Sequence, residues 1–341
     1  MTDIPRTPAD APKIAVIGAG YWGINHVRNF FELGALNLVC DSSESGLEKV
    51  RGRFAGVRTE SNVDAALEDP SIDAIVLATP AETHFELAMR AIESGKDVLV
   101  EKPLTLDVAD AVRLVQLADE RKSILMVGHL LEYHPAVIRL RELIESGQLG
   151  ELRYIYSNRL NLGKVRREEN ILWSFAPHDI AIILRLVGVW PTRVTATGGS
   201  YLQPHIADVT VTNIEFPTGV RAHIFVSWLH PYKEQRLVVV GSKQMAVFDD
   251  VRKNAKLMIY DQGVEFVDGE PVTRKNEGIA ETLDDKEPLR SQSLQFLECI
   301  RTRQRPLTDG ESGLRVLRVL DAAERSLQEG GMPISLSTTG H

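Results

Sequence analysis

Residues 13–23 read KIAVIGAGYWG: a short apolar run opens directly onto Gly18, Gly20 and Gly23, at G-x-G-x-x-G spacing. An apolar run without polar alternation suits a strand buried on both faces, as in a parallel sheet. Outward from it the same texture recurs in LNLVCD, IDAIVLATP, KDVLVEKP and SILMVGH. Between these lie helical stretches such as HFELAMRAIESG, which ends on a glycine stop. Strand and helix alternate to about residue 128, which predicts a doubly wound α/β domain with right-handed connections.

The texture changes after Gly147-Gln148-Leu149-Gly150, a turn preceded by a helix from about His134 to Ser146. TRVTATGGSYL, DVTVTNIEFP, VRAHIFVSWL, EQRLVVVGS and KLMIYD are rich in β-branched residues and broken by Gly, Pro or Asp, the chemistry of antiparallel sheet. A helix from Pro177 to Leu186 interrupts them, with His178 in its first turn and Asp179 as an acid at its start. DQGVEFVDGEPVTRKNEGIAETLDDKE reads as surface hairpin and loop, and helices at about Pro288 to Thr302 and Gly310 to Gln328 follow. The expected fold class is α/β. Domain 1–130 is a doubly wound parallel sheet; domain 131–341 is α+β with a large, open-faced, mostly antiparallel sheet, its final helices free to pack back on the first domain.

Length and composition agree: 341 residues exceed one ordinary core, and 43% apolar with 25% charged residues is globular composition. The charge sum of 39 basic against 47 acidic residues gives −8, so no global field draws the chain to nucleic acid or an anionic membrane. Cys40 and Cys299 form neither a metal-ligand spacing nor a disulfide framework, which fits a reducing compartment. The start, MTDIPRTPADAP, lacks the basic flank and apolar core of a signal peptide, and no apolar stretch approaches the ~20 residues of a membrane span. The expected location is cytoplasmic.

The glycine turn carries the first chemistry. Gly18 permits the tight turn, Gly20 lets a pyrophosphate approach the backbone, and Gly23 lets helix and strand pack, with Tyr21 and Trp22 in the same turn. The free N–H groups and positive dipole end of the following helix then face the phosphates. Asp41 follows the second run, where a dinucleotide-binding Rossmann fold places the acid that bonds the ribose hydroxyls. A carboxylate there repels a 2′-phosphate, and Ser42 and Ser43 follow without an arginine, so NAD is expected rather than NADP. An ordinary strand-to-helix turn and a solvated acid are the plain alternatives.

Glu101-Lys102-Pro103 ends the KDVLV run, and ligands in open α/β sheets bind beyond the carboxyl ends of strands. A lysine there, its pKa depressed by partial burial, can hold an alcohol or carbonyl oxygen and relay its proton. Taken alone it is a solvated strand end; its meaning comes from Thr79-Pro80-Ala81-Glu82-Thr83-His84 after the preceding run and from His178. Arg159, Asn161, Lys164, Arg166 and Arg167 form a basic cluster just after the first strand of the second domain, which suits a diphosphate or a solvated loop equally. Trp173 is either a stacking platform for a sugar or uracil or a core residue.

With these pieces in order, the chain resembles the Gfo/Idh/MocA family of nicotinamide-dependent sugar and cyclitol oxidoreductases. The resemblance is carried by GAGYWG, Asp41, TPAETH, AIESGKDVLVEKPL and the histidine on the first helix of the second domain, over about residues 13–190. It implies an NAD-binding Rossmann domain, an open-faced sheet domain, and homodimers or homotetramers built through the sheets. It also implies that Lys102 and His178 work at the reacting carbon, and that Thr79, Pro80, His84 and Glu101 line the nicotinamide side. Ser174 stands where many members carry an acid four positions before the histidine, a departure at the proton relay. WGINHVRNF, HLLEYHPAVIRL and NILWSFAPHDIAI are most similar to members from nucleotide-sugar pathways, which oxidise the 3-hydroxyl of a UDP-linked N-acetylhexosamine or its uronate. The expected reaction is therefore hydride transfer from that sugar carbon to NAD, with Arg159, Asn161, Arg166, Trp173 and Asp179 on the substrate side and no metal. A dehydrogenase of a free sugar or inositol, and a catalytically dead NAD-binding regulatory protein, stand as rivals.

Overall fold

The computed structural model of the chain describes residues 11–163 and 165–337. Lys164 of the basic cluster, and most of the N-terminal stretch read for a signal peptide, lie outside the described residues. The chain forms two compact units, residues 11–133 with Glu287–Leu317, and His134–Lys286 with residues 318–337.

In the first unit the glycine turn joins β1 (Ile14–Ile17) to α1 (Gly23–Glu32). There follow β2 (Leu36–Cys40), α2 (Glu44–Arg53), β3 (Arg58–Glu60), α3 (Asp64–Leu67), β4 (Ala74–Leu77), α4 (His84–Glu93), β5 (Asp97–Val100), α5 (Val108–Arg121) and β6 (Leu125–Val127). Among the described residues these six strands form one parallel sheet in the order β3-β2-β1-β4-β5-β6. That is the doubly wound order whose direction reverses between β1 and β4, leaving a crevice at their carboxyl ends. The apolar runs become a two-sided core: Ile14, Val16, Val39, Val76, Leu99 and Met126 are buried with Val27 and Phe30 of α1. Each such fully buried side chain contributes roughly 1.5–3 kcal/mol. β3 was invisible in the sequence because it is three polar, partly exposed residues at the sheet edge, with no apolar run to mark it.

The second unit begins with α6 (Pro135–Glu145), β7 (Leu152–Leu160) and α7 (Ile171–Val187), then β8 (Arg193–Gly199), β9 (Val209–Glu215), β10 (Arg221–Ser227), β11 (Glu234–Gly241), β12 (Met245–Asp249) and β13 (Leu257–Tyr260). β14 (Gly263–Val267) and β15 (Glu270–Arg274) make a separate hairpin, followed by β16 (Ile279–Ala280). α8 (Pro288–Thr302), which belongs to the first unit, and α9 (Gly310–Gln328), which passes from the first unit to the second after Leu317, keep the bounds read from the sequence, and β17 (Ile334–Ser335) comes last. Among the described residues nine strands form one sheet, β16-β13-β12-β11-β7-β10-β9-β8-β17. Every pair in it is antiparallel except β7 with β10, where Tyr156 stands beside His223. α7 covers one face, over buried Ile155, Ala222, Ile224 and Val226. On the other face Tyr156 and His223 stack at 5.2 Å.

The structure corrects the helix read from Pro177. α7 starts six residues earlier, at Ile171, because Asn170 caps it: its side-chain oxygen accepts the Trp173 N–H at 3.2 Å. Pro177 therefore lies inside the helix, and His178 and Asp179 sit two turns in, not in its first turn. Asp179 is accordingly not an acid at a helix start.

Candidate functional site

The glycine turn divides its labour in a way the motif alone does not show. A methyl group added at Gly18, which has φ of +93°, would stand 2.6 Å from the Ala78 carbonyl oxygen; one at Gly23 would stand 2.0 Å from the carbonyl oxygen of Gly18. Both glycines are demanded by the chain's own packing. At Gly20 the added methyl meets no protein atom within 4 Å. The space over Gly20, beside the first turn of α1, is left for something other than protein, which is the fit expected for a dinucleotide's phosphates.

Asp41 follows β2 at this same end of the sheet. Its carboxylate accepts the Ala19 N–H at 2.6 Å and the Ser43 N–H at 2.8 Å, which fixes the acid against the glycine turn. Ser42 is exposed beside it, and Tyr21 is 97% exposed in the turn. Thr79 and Pro80 lead out of β4, with the Thr79 backbone beside Gly18, where an added methyl would stand 3.1 Å from the Thr79 nitrogen.

His84 and Glu101 prove to be braces rather than surfaces. His84 is buried, with Nδ1 2.7 Å from the Pro103 carbonyl and Nε2 3.1 Å from that of Thr79. Burial pushes its pKa down despite the two carbonyls, so the ring is neutral and donates through the shorter contact. It thereby tethers the Lys102–Pro103 turn to the start of α4, with Nε2 facing the Thr79 carbonyl, and its own ring is buried. Glu101 is likewise turned inward, its side chain 12% exposed. Oε1 accepts from the Trp22 indole N–H and from Nε2 of His26, each at 2.7 Å, and Oε2 takes the Lys102 backbone N–H at 3.3 Å. Since a carboxylate only accepts, His26 is the donor. Burial alone would raise the Glu101 pKa, but the His26 and Trp22 hydrogen bonds and the nearby Lys102 charge hold it below its usual value. Trp22 thus binds Glu101 through its indole N–H while part of its ring stays exposed at the glycine turn.

Two histidines that the sequence does not single out lie near Glu101. His26 is fully buried on α1, against Phe30. His129, just past β6, is also buried, with no hydrogen-bond partner on either ring nitrogen among the described residues. Burial pushes its pKa down to about 4. Only the strand register exposes it: Val100 pairs with Val127, so Lys102 and His129 leave neighbouring strand ends.

In the second unit the predicted substrate residues separate. Arg159 lies inside β7, not after it, and its guanidinium forks onto Asp179 at 2.9 and 3.2 Å. The pair is sealed, at 12% and 2% side-chain exposure, and the Ser157 hydroxyl donates to the same carboxylate at 2.6 Å. Arg159 is raised as a cation: burial alone would lower it, and Asp179 outweighs that. Arg159 is therefore committed to α7 and is not available as a diphosphate contact. Asp179 serves as the anchor of α7 rather than as a substrate ligand. Trp173 is tied down too, its indole N–H donating to Glu324 at 3.1 Å, while Asn170 donates to the same carboxylate at 2.8 Å. Asn161 bonds its backbone N–H to Ser227 at 3.1 Å. Arg166 stays exposed on the loop, 3.1 Å from Glu169, with its carbonyl held by Gln203. His178 is half-buried on α7, next to the anchored Asp179.

Among the described residues no group of histidine, cysteine and carboxylate side chains is placed to hold a metal, and no helix is long and apolar enough to cross a membrane.

Comparison with known proteins agrees with this architecture. Residues 12–129 match the model of the Gfo/Idh/MocA oxidoreductase family's NAD-binding Rossmann fold, and residues 137–247 match that of its C-terminal domain. The chain is similar to UDP-N-acetylglucosamine 3-dehydrogenase of Acidithiobacillus ferrooxidans, 29% identical over 89% of this chain and 94% of the relative. A solved structure of that enzyme superposes with a TM-score of 0.81 at 27% identity, covering 93% of this chain and 97% of the other. A solved protein of Magnetospirillum magnetotacticum, described as an oxidoreductase, is 31% identical with a TM-score of 0.80, over 92% of this chain and 99% of the other. The NAD-dependent scyllo-inositol 2-dehydrogenase of Bacillus subtilis is 26% identical over 95% of this chain and 96% of its own length. The chain belongs to the Gfo/Idh/MocA oxidoreductase family, and its first unit is that family's NAD-binding Rossmann domain.

Proposed function

We propose that this protein oxidises a secondary alcohol of a sugar with NAD, and that its substrate is the 3-hydroxyl of a UDP-linked N-acetylhexosamine, which becomes a 3-keto sugar. The observation that carries the reading is the end of β5, where Lys102 follows a buried carboxylate beside a glycine turn left open over Gly20. The choice of substrate is supported by the Acidithiobacillus ferrooxidans relative, which spans nearly the whole chain.

NAD is held by the backbone at Gly18, Gly20 and Gly23 and by Asp41, with Thr79 and Pro80 at the adjoining strand end. Its nicotinamide supplies the acceptor for the hydride from the carbinol carbon. The chain's own task is to hold that alcohol and move its proton. Glu101 places a negative charge near Lys102, and the two attract. Lys102 then holds the substrate oxygen by donation and stabilises charge as it develops there. His178 takes the hydroxyl proton. Arg166 and Arg167 are exposed cations of the cluster left to meet a diphosphate, since Arg159 is paired with Asp179.

The half-exposed face of the nine-stranded sheet, with Tyr154, Tyr156, His223 and Phe225, is the surface through which two copies pair. Light scattering on the purified protein checks this, and a monomer at micromolar concentration refutes it.

An inositol dehydrogenase is the second reading, because the Bacillus subtilis relative also spans 95% of the chain. Incubation with NAD and either UDP-N-acetylglucosamine or an inositol, followed by NADH absorbance and by NMR of the product, decides between them. NADH with the nucleotide sugar and a keto carbon at C3 is expected. NADH with inositol alone refutes the substrate, and none with either refutes the activity.

A further inference from the structure

We infer that His26 is a positioning residue for Lys102: from the buried face of α1 its Nε2 fixes Glu101 behind the lysine, and so makes the glycine-turn helix and the end of β5 one device. The inference rests on the reading that Lys102 holds the substrate oxygen.

Glu101 is clamped on every side. Oε1 takes both the Trp22 and the His26 donors at 2.7 Å, and Oε2 takes the Lys102 N–H at 3.3 Å. Behind it, a methyl group at Gly128 of the neighbouring strand end would stand 2.8 Å from Oε2, so the carboxylate occupies the room that Gly128 leaves. A histidine that merely filled the core would satisfy itself on nearby backbone. His26 does not: it is fully buried, and Nδ1 has no hydrogen-bond partner among the described residues, so its contact with Glu101 is what its polarity serves.

Charge accounting gives the clamp its purpose. The titratable groups facing Glu101 are His26 from α1, Lys102 from its own strand end, His129 from the end of β6 and His84 from α4. His84 and His129 are held neutral by burial. The carboxylate's charge acts on both His26 and Lys102, and its second oxygen is tied to the lysine's own backbone N–H. Trp22 extends the device outward. It caps α1 in the glycine turn, half-exposed, so a ligand seated on that turn meets the same hydrogen-bond network that orients the lysine.

The test compares His26→Asn with His26→Gln. A glutamine amide reaches roughly where Nε2 stands, whereas an asparagine amide reaches only the Nδ1 position. The first readout needs no cofactor: the pH dependence of Lys102 acylation, followed by mass spectrometry. The midpoint should fall by about one pH unit in His26→Asn, as the carboxylate loses its donor, and return in His26→Gln. With NAD and substrate, kcat should fall about tenfold in His26→Asn, KM should hold within about twofold, and His26→Gln should recover most of the loss. An unchanged midpoint in His26→Asn, or a His26→Gln variant displaced as far as His26→Asn, overturns the inference. Should His26→Asn not fold, Trp22→Phe removes the other donor to the same oxygen, and an unmoved lysine midpoint there overturns it equally. A shifted midpoint in a protein whose parent turns over no sugar would refute the function while leaving the positioning role standing.

Discussion

Two buried carboxylates each precede or follow a proposed reacting residue, and they are used in opposite ways. Asp179, beside His178, meets a full cation of its own: Arg159 forks onto it and Ser157 adds a third donor. Its charge is cancelled locally, and what remains is an anchor between α7 and β7. Glu101, beside Lys102, meets an indole, an imidazole and a backbone N–H. None of these is a guanidinium fork like the one that closes on Asp179, and the charge of Glu101 also acts on Lys102. A buried pair with a guanidinium fixes position, while a carboxylate held by an indole, an imidazole and a backbone N–H can also act on its neighbour.

The comparison can be broken first at the lysine. Lys102→Met should reduce kcat by up to about 10⁴-fold, roughly 5 kcal/mol of barrier, while NADH affinity and melting temperature hold. Steady-state kinetics beside fluorescence titration check this, and a loss confined to NADH binding would move Lys102 out of the chemistry. Next comes the anchor. Asp179→Ala should cost about 3–5 kcal/mol in urea unfolding, because it strands the Arg159 cation, and replacing both partners by apolar residues should recover much of that. Glu101→Gln should show the reverse, a loss of activity out of proportion to any loss of stability. If the two acids respond alike, the distinction fails.

Acid supplies the third test. A buried histidine held neutral is a group whose folded pKa lies below its unfolded value, so the unfolded chain takes up the extra proton as pH falls. For His129 the window runs from the ordinary value near 6.5 down to about 4. Its share of stability is intact above that window and declines through it by on the order of 3 kcal/mol. Melting temperatures across this range should fall less steeply in His129→Phe than in the parent. Smaller again, Asp41→Asn should weaken NAD about tenfold, near 1.4 kcal/mol, and narrow the preference over NADP. The smallest effect is Asn170→Ala, about 1 kcal/mol from the lost α7 cap.

Much of this was legible in the sequence. Five of the six strands in the parallel sheet announced themselves as apolar runs, and the glycine turn and Asp41 lie where the motif places them. What failed did so for physical reasons. Pro177 looked like a helix start because proline is usual there, but the cap at Asn170 and the apolar Ile171 and Leu172 start the helix earlier. Arg159 looked like a phosphate ligand because a linear reading shows its basic neighbours and not the carboxylate packed across from β7. His84, Glu101 and Trp22 were read as cofactor contacts from their neighbourhood in the chain, and the sequence does not show that each also bonds within the protein. Which way each side chain turns was settled by burial and hydrogen bonding. His26 and His129 carried no signal beyond a polar residue within apolar surroundings, and only the register of β5 against β6 gives His129 a neighbour worth noticing.

The central claim is that hydride leaves C3 of the sugar for NAD while Lys102 holds the oxygen. Supplying UDP-N-acetylglucosamine deuterated at C3, and weighing the reduced cofactor from the parent and from Lys102→Met, tests it directly. The account predicts deuterium in the reduced nicotinamide, formed at least a thousandfold more slowly by the variant. Reduced cofactor without deuterium, or a variant as fast as its parent, would contradict it.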